Sequence, residues 1–139
     1  MGNIMGQRSE VGIVLSKRVY EYIQTVELAN RCFDDCDYHF ISDETKEHLF
    51  IWESVKWNDS CPETWAIMRA FKDIDGGISL EDINGANSCL DAGDYLFIKL
   101  DTGLQELGAR YRNDFNFKYI GGCHTLGFYY KGITYNRLF

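Results

Sequence analysis

The sequence predicts an α+β fold in which two helices pack on one face of a mostly antiparallel sheet. Short runs rich in β-branched and aromatic residues recur along the chain, and two segments with helical apolar spacing lie between them. A two-glycine connection between the last two runs predicts a closing hairpin. Since 139 residues, 45% of them hydrophobic, suffice for one core, residues 1–139 are predicted to form a single domain.

The first strand is predicted at residues 10–15, where Val11, Ile13 and Val14 supply the β-branched content that strands favour. Ser16 is the expected cap of a helix running to about residue 32, because apolar residues recur at three- and four-residue spacing there. The acidic stretch that follows predicts a turn.

A hairpin is predicted next, with strands at residues 38–41 and 48–53 around a polar loop. Ser60 and Glu63 then have the spacing of a capping box, which predicts the start of a second helix. Trp65, Met68 and Phe71 are expected to form its apolar face.

Later strands are predicted at residues 94–100, 115–120 and 123–130, with Gly121 and Gly122 making the turn between the last two. The order of elements suggests a ferredoxin-like core with an added C-terminal hairpin.

The charge is acidic and uneven. Residues 1–100 carry 18 acids and 9 bases, whereas residues 101–139 carry 3 acids and 5 bases. Non-specific nucleic-acid binding depends on Lys and Arg neutralising phosphates, so direct binding of nucleic acid is disfavoured. A row of carboxylates can instead steer association with a basic protein, or mimic a nucleic acid in that protein's channel.

Five cysteines in a chain without a recognisable secretory signal predict reduced thiols and a cytoplasmic location. No apolar run approaches the ~20 residues of a membrane helix, so no membrane partner is expected.

Metal and catalytic motifs are incomplete. Asp73 to Asp82 echo a calcium loop, but Phe71 would occupy its first ligand position. Cys32, Cys36 and His39 could form a soft-ligand site only with the distant Cys123 and His124. The sequence therefore predicts no metal, no cofactor and no catalytic residue, and favours a non-enzymatic protein. A histidine-assisted nucleophile formed by His39, His48 or His124 stays open as an alternative.

Two segments, Arg8-Ser9-Glu10-Val11 and Phe50-Ile51-Trp52-Glu53-Ser54-Val55-Lys56-Trp57, resemble small uncharacterised bacteriophage accessory proteins. The resemblance implies a compact α+β fold and a role in binding and inhibiting a host protein, in host takeover or anti-defence. It directs attention to a binding site that contains Arg8, Glu10, Glu53, Lys56 and Trp57. The alternative is a structural role, in which Arg8, Glu53 and Lys56 form salt bridges that hold the first strand to the central hairpin.

A second function remains open at the C-terminal end. Arg110 and Arg112, followed by Phe115, Phe117 and Tyr119, could bind a nucleotide or nucleic acid by stacking bases on an exposed sheet face. The same aromatic alternation is also typical of core packing.

Overall fold

The computed structural model describes residues 8–58, 60–81, 87–90, 94–101, 104–107, 115–120, 126–131 and 133–136. The helices are α1 (Lys17–Gln24), α2 (Glu27–Cys32) and α3 (Pro62–Asp75). The strands are β1 (Ser9–Leu15), β2 (Tyr38–Ile41), β3 (His48–Val55), β4 (Ile78–Glu81), β5 (Asn87–Leu90), β6 (Tyr95–Asp101), β7 (Leu104–Leu107), β8 (Lys118–Tyr119), β9 (Gly127–Tyr130) and β10 (Ile133–Asn136).

The main sheet has five strands in the order β2-β3-β1-β6-β7. A second sheet has the order β10-β9-β8, and β4 pairs with β5. Every pairing among the described strands is antiparallel, which confirms the predicted α+β class. The finer, ferredoxin-like detail of that prediction is not confirmed.

The first predicted helix is two short helices, so the prediction of one continuous helix was wrong. Ser16 caps α1 as expected, its Oγ accepting from the Val19 N–H at 3.2 Å. At the break, Thr25 Oγ1 donates to the Tyr22 carbonyl at 2.6 Å, and Val26 N–H bonds the Ile23 carbonyl three residues back. Threonine thus competes for a helical acceptor and tightens the last turn, which ends α1.

The predicted capping box of α3 was also wrong. Cys61 occupies the cap position without a side-chain hydrogen bond, and Ser60 instead donates from both its amide and its hydroxyl to Asn58 Oδ1. The apolar face is rotated from the expected one, because Trp65 is half exposed. The buried positions of α3 are Thr64, Ala66, Ile67, Ala70, Phe71 and Ile74.

The helices cover one face of the main sheet, as predicted. Phe50, Trp52, Tyr95 and Phe97 project from the sheet into this core. The Phe71 ring of α3 stacks on Tyr95 with centroids 4.1 Å apart. Large aromatic side chains of the central strands therefore do most of the packing against the helices.

The opposite face of the main sheet is covered by the second sheet. Leu49, Ile51, Leu96 and Ile98 of the main sheet form a second core, and the side chains that cover them include Phe115, Phe117, Leu126 and Phe128. The β2–β3 hairpin is present as predicted. β8 and β9 also pair, but their register, Tyr119 with Phe128, leaves more than two residues between the strands, so the prediction of a two-residue turn was wrong. Gly121 and Gly122 themselves lie outside the described residues. Within the described ranges, no helix is long and apolar enough to span a membrane.

Gly12 lies at the centre of this second interface. A Cβ placed on it would lie 2.9 Å from Cε2 of Phe128 and 3.1 Å from Cδ1 of Leu126. Both of those side chains are buried to 1% exposure or less, so neither has room to move away. The second sheet can approach β1 this closely only because position 12 carries no side chain.

We expect Gly12→Ala to lower the free energy of unfolding by about 1–3 kcal/mol through overpacking. Gly76→Ala is the matched control, since its Cβ would meet the Asp73 and Lys72 carbonyl oxygens at 3.6 and 3.8 Å, which are ordinary contacts, and its φ of −79° suits alanine. Urea unfolding of both variants checks this. Equal midpoints for the two variants would show that the contact at Gly12 is unimportant.

Candidate protein-interaction surface

β2 forms an edge of the main sheet, and its four side chains are all exposed. Tyr38 and Phe40 each retain 40% of their accessible surface, and Ile41 retains 52%. Edge strands of natural proteins usually carry charged residues or lie under other elements. An apolar and exposed edge strand therefore marks a candidate surface for contact with another protein.

An apolar groove runs between this edge and the second sheet. Its volume is about 250 Å³, and it is lined by Phe40 and Ile41 of β2, Leu49 of β3, Phe117, and residues 128–130 of β9. Tyr129 projects from the second sheet with 44% of its surface exposed. We call β2 together with this groove the edge surface.

The β2–β3 turn holds the two walls of the edge surface together. Ser42 is completely buried, and its Oγ accepts from the Thr45 N–H at 3.2 Å and from Asn116 Nδ2 at 3.0 Å. The buried Glu47 carboxylate accepts the Asn116 N–H at 2.6 Å. Because these bonds join residue 116 to both ends of the turn, the segment that leads into the second sheet is fixed against β2.

Lys131 makes a second link at the same place. Its Nζ lies 3.1 Å from Asp43 and 2.7 Å from Glu44, and Tyr130 donates to Asp43 at 2.5 Å. The hydrogen bonds from Tyr130 and then Lys131 lower the pKa of Asp43, and the bonds to Glu44 and Asp43 raise the pKa of Lys131. Lys46 and Lys131 both have positive φ, 62° and 48°, so each of the two meeting turns contains a strained residue.

Negative charge gathers at the ends of β2. Residues 34–47 contain six acids and one lysine. On the helices, by contrast, Glu21, Glu27 and Asp73 each pair with a basic residue one turn away. Lys131 also pairs with the carboxylates of the β2–β3 turn. Before β2, Asp34, Asp35 and Asp37 lie exposed and make no ion pair within the described residues.

His39 of β2 and His48 of β3 lie on the face of the main sheet that the helices cover. His39 Nε2 and His48 Nδ1 are 2.8 Å apart, and Tyr20 of α1 stacks on His48 with centroids separated by 3.7 Å. Burial and the neighbouring His39 lower the pKa of His48 to about 4, and partial burial lowers that of His39. The pair is therefore neutral at pH 7, and the hydrogen bond helps to join β2 to β3.

The residues expected from the phage-like segments are not gathered at the edge surface. Arg8 donates to Ser54 Oγ at 2.9 Å and to the Ser54 carbonyl at 3.1 Å, which ties the start of β1 to β3. Glu10 lies on β1, opposite Leu100. Trp57 is buried between Trp52 and Phe97, and Lys56 beside it is exposed. That these residues form a binding site stays a prediction.

Glu53 of the same set lies closest to β2. Its backbone N–H donates to Asp37 Oδ2 at 2.7 Å, which fixes the start of the edge strand. Arg110, Arg112, Cys123 and His124 lie outside the described residues. Phe115 and Phe117, which were considered for base stacking, are buried in the second core.

Metal and thiol chemistry find no support in the described part of the chain. No cluster of three or more His, Cys, Asp and Glu side chains there could hold a metal ion. Burial raises the pKa of the Cys32 thiol to about 12, so this cysteine is not a nucleophile at neutral pH.

The edge surface was missed at the level of the sequence, although a signal exists. Tyr38 and Phe40 alternate on a short strand without a charged residue between them, and acids stand on both sides.

In comparisons with protein-family models, curated proteins and solved structures, the chain matches none.

Acid is expected to weaken the fold through His48. Because its pKa is about 4 in the folded chain and about 6.5 when unfolded, the unfolded state binds more protons between these values. The contribution of His48 to stability is thus present above pH 6.5 and falls as the pH drops towards 4, by up to about 3 kcal/mol.

His48→Phe keeps an aromatic ring on Tyr20 but has no proton to gain. Urea unfolding from pH 7 to 4.5 should show a shallower loss of stability in this variant than in the wild type. Identical pH profiles would rule out His48 as the source of the effect.

Proposed function

We propose that the protein is a non-enzymatic binding protein that engages a basic partner protein through the edge surface. The observation that supports this most strongly is the exposure of Tyr38, Phe40 and Ile41 on an edge strand beside an apolar groove. Contiguous apolar patches on a surface are typical of protein-binding sites. Aromatic side chains such as Phe40 and Tyr129 are also the residues that interfaces favour.

Charge would select the partner. Apolar contacts in the groove supply affinity, and the carboxylates before β2 attract a partner that carries Lys or Arg next to an apolar segment. The formal net charge of −7 extends this attraction over the whole chain. Association would therefore be faster at low salt, as is typical of electrostatically steered complexes.

The resemblance of Arg8–Val11 and Phe50–Trp57 to bacteriophage accessory proteins supports a bacterial host protein as the partner, and inhibition of that protein as the outcome. An acidic face that competes with nucleic acid for a basic groove is one form that such inhibition takes. The alternative, a nucleotide- or nucleic-acid-binding protein, rests on Arg110 and Arg112. Burial of Phe115 and Phe117 leaves it with less support.

Partner capture from a bacterial lysate at low salt tests this function. The variant Phe40→Ser combined with Tyr129→Ser removes both aromatic walls of the edge surface. Trp65→Ser is the matched control, because Trp65 is also an exposed aromatic residue, 50% accessible, but lies on the helical side.

We expect the wild type and Trp65→Ser to retain the same basic protein and the double variant to lose it. A hot-spot aromatic typically contributes about 2 kcal/mol, so capture should fall more than tenfold. Loss of capture in Trp65→Ser, with the double variant unaffected, would move the interface to the helical side. Retention of no specific protein by the wild type would contradict the proposed function.

A further inference from the structure

We propose that the partner contributes an extended segment that adds to β2 as an antiparallel strand, with lysine or arginine at the C-terminal end of the segment. The inference rests on the proposed function, because it specifies how the partner binds at the same edge surface. Three features of β2 support it: the outward-facing backbone amides, the apolar groove and the exposed carboxylates at the start of the strand.

The backbone of β2 has hydrogen-bonding groups on its outer side. Ser42 N–H donates to the Glu47 carbonyl at 2.8 Å, in register with the pairing of Ile41 and His48. Ladder bonds alternate along an antiparallel strand, so the amides of His39 and Ile41 point away from β3. Among the described strands only β3 pairs with β2. A segment placed outside β2 can therefore exchange hydrogen bonds with His39 and Ile41.

The side chains of β2 define what such a segment would carry. Tyr38 and Phe40 are paired with Ile51 and Leu49, so they lie on the face towards the second sheet. Residues of an added strand that stand opposite them project onto the same face, over the groove. Since the groove is lined by apolar side chains, apolar residues at alternate positions fit the segment.

The charges around β2 determine which end of the partner's segment carries basic residues. An antiparallel segment has its C-terminal end beside the start of β2, where Asp34, Asp35 and Asp37 lie exposed. At the other end, Lys131 already pairs with Asp43 and Glu44. In the described part of the chain, the carboxylates near β2 without an ion pair thus lie at the start of the strand, and they favour basic residues after the apolar part of the segment.

Net charge disfavours a second copy of this chain as the occupant. Each copy carries a formal net charge of −7, so two copies repel each other as they approach. The surface is therefore suited to a basic segment of a different protein.

A synthetic peptide of alternating valine and threonine followed by three lysines is the probe. The same peptide ending in three glutamates is its control, and binding is measured by fluorescence anisotropy at low salt. We expect saturable binding of the lysine peptide and at least a tenfold weaker binding of the glutamate peptide. Equal binding of the two peptides, or none up to about 1 mM, would overturn the proposal.

Ile41→Pro tests the backbone bonds directly. Proline removes an amide that points away from β3 and is tolerated on the outer side of an edge strand, so the fold is expected to survive. Ile41→Val is the matched control, because it keeps the amide and a similar volume. The lysine peptide should bind Ile41→Pro about tenfold more weakly and Ile41→Val as the wild type does.

Asp34→Asn combined with Asp35→Asn leaves the residues of β2 unchanged. We expect this variant to bind the lysine peptide more weakly, and its affinity to change less with salt concentration. This variant decides the proposal if Ile41→Pro fails to fold. Self-association in sedimentation that Ile41→Pro abolishes would overturn the proposal in favour of a dimer.

The proposed function and the strand-addition proposal can be tested independently of each other. If Ile41→Pro captures the bacterial partner as well as the wild type does while the Phe40 and Tyr129 variant loses it, strand addition is wrong and the proposed function stands.

Discussion

The close approach of the Phe128 ring to the bare backbone of Gly12 is the contact on which the rest of the structure depends. It brings β9 against the centre of the main sheet, and Phe117 and Tyr130 then lie next to the β2–β3 hairpin. On the other face, the helices pack on the aromatic side chains of the same strands. The main sheet is thus covered on both faces, while its β2 edge stays exposed.

The edge surface is a consequence of how firmly its two walls are joined. Asn116 bonds Ser42 and Glu47, and Lys131 bonds Asp43 and Glu44, so the gap between β2 and the second sheet has a fixed width. A groove that is formed before binding loses little conformational entropy when a partner enters it. Strained backbone at Lys46 and Lys131 is compatible with a role of these turns in recognition.

Local patterns in the sequence predicted β1, β2, β3 and β6, the β2–β3 hairpin and the antiparallel class, because alternation reports directly on which face of a strand is buried. They did not predict β4, β5, β7 and β10, and they failed where neighbouring backbone or side-chain groups compete for a side chain. Thr25 split a helix by bonding Tyr22, and Ser60 turned to Asn58 instead of capping α3. The apolar β2 strand is visible in the sequence, but the groove beside it was beyond prediction because it joins β2 to residues about 90 positions later. Positive φ at Lys46 and Lys131 follows no residue preference either.

Amide hydrogen exchange of the protein with its captured partner measures strand addition at β2, since it reports on each backbone N–H of the chain. We expect the amides of His39 and Ile41 to exchange more slowly in the complex, because their bonds to solvent are replaced by bonds to the partner, while the amides around Trp65 keep their rates. Slower exchange around Trp65 on α3, with His39 and Ile41 unchanged, would show that the partner binds elsewhere.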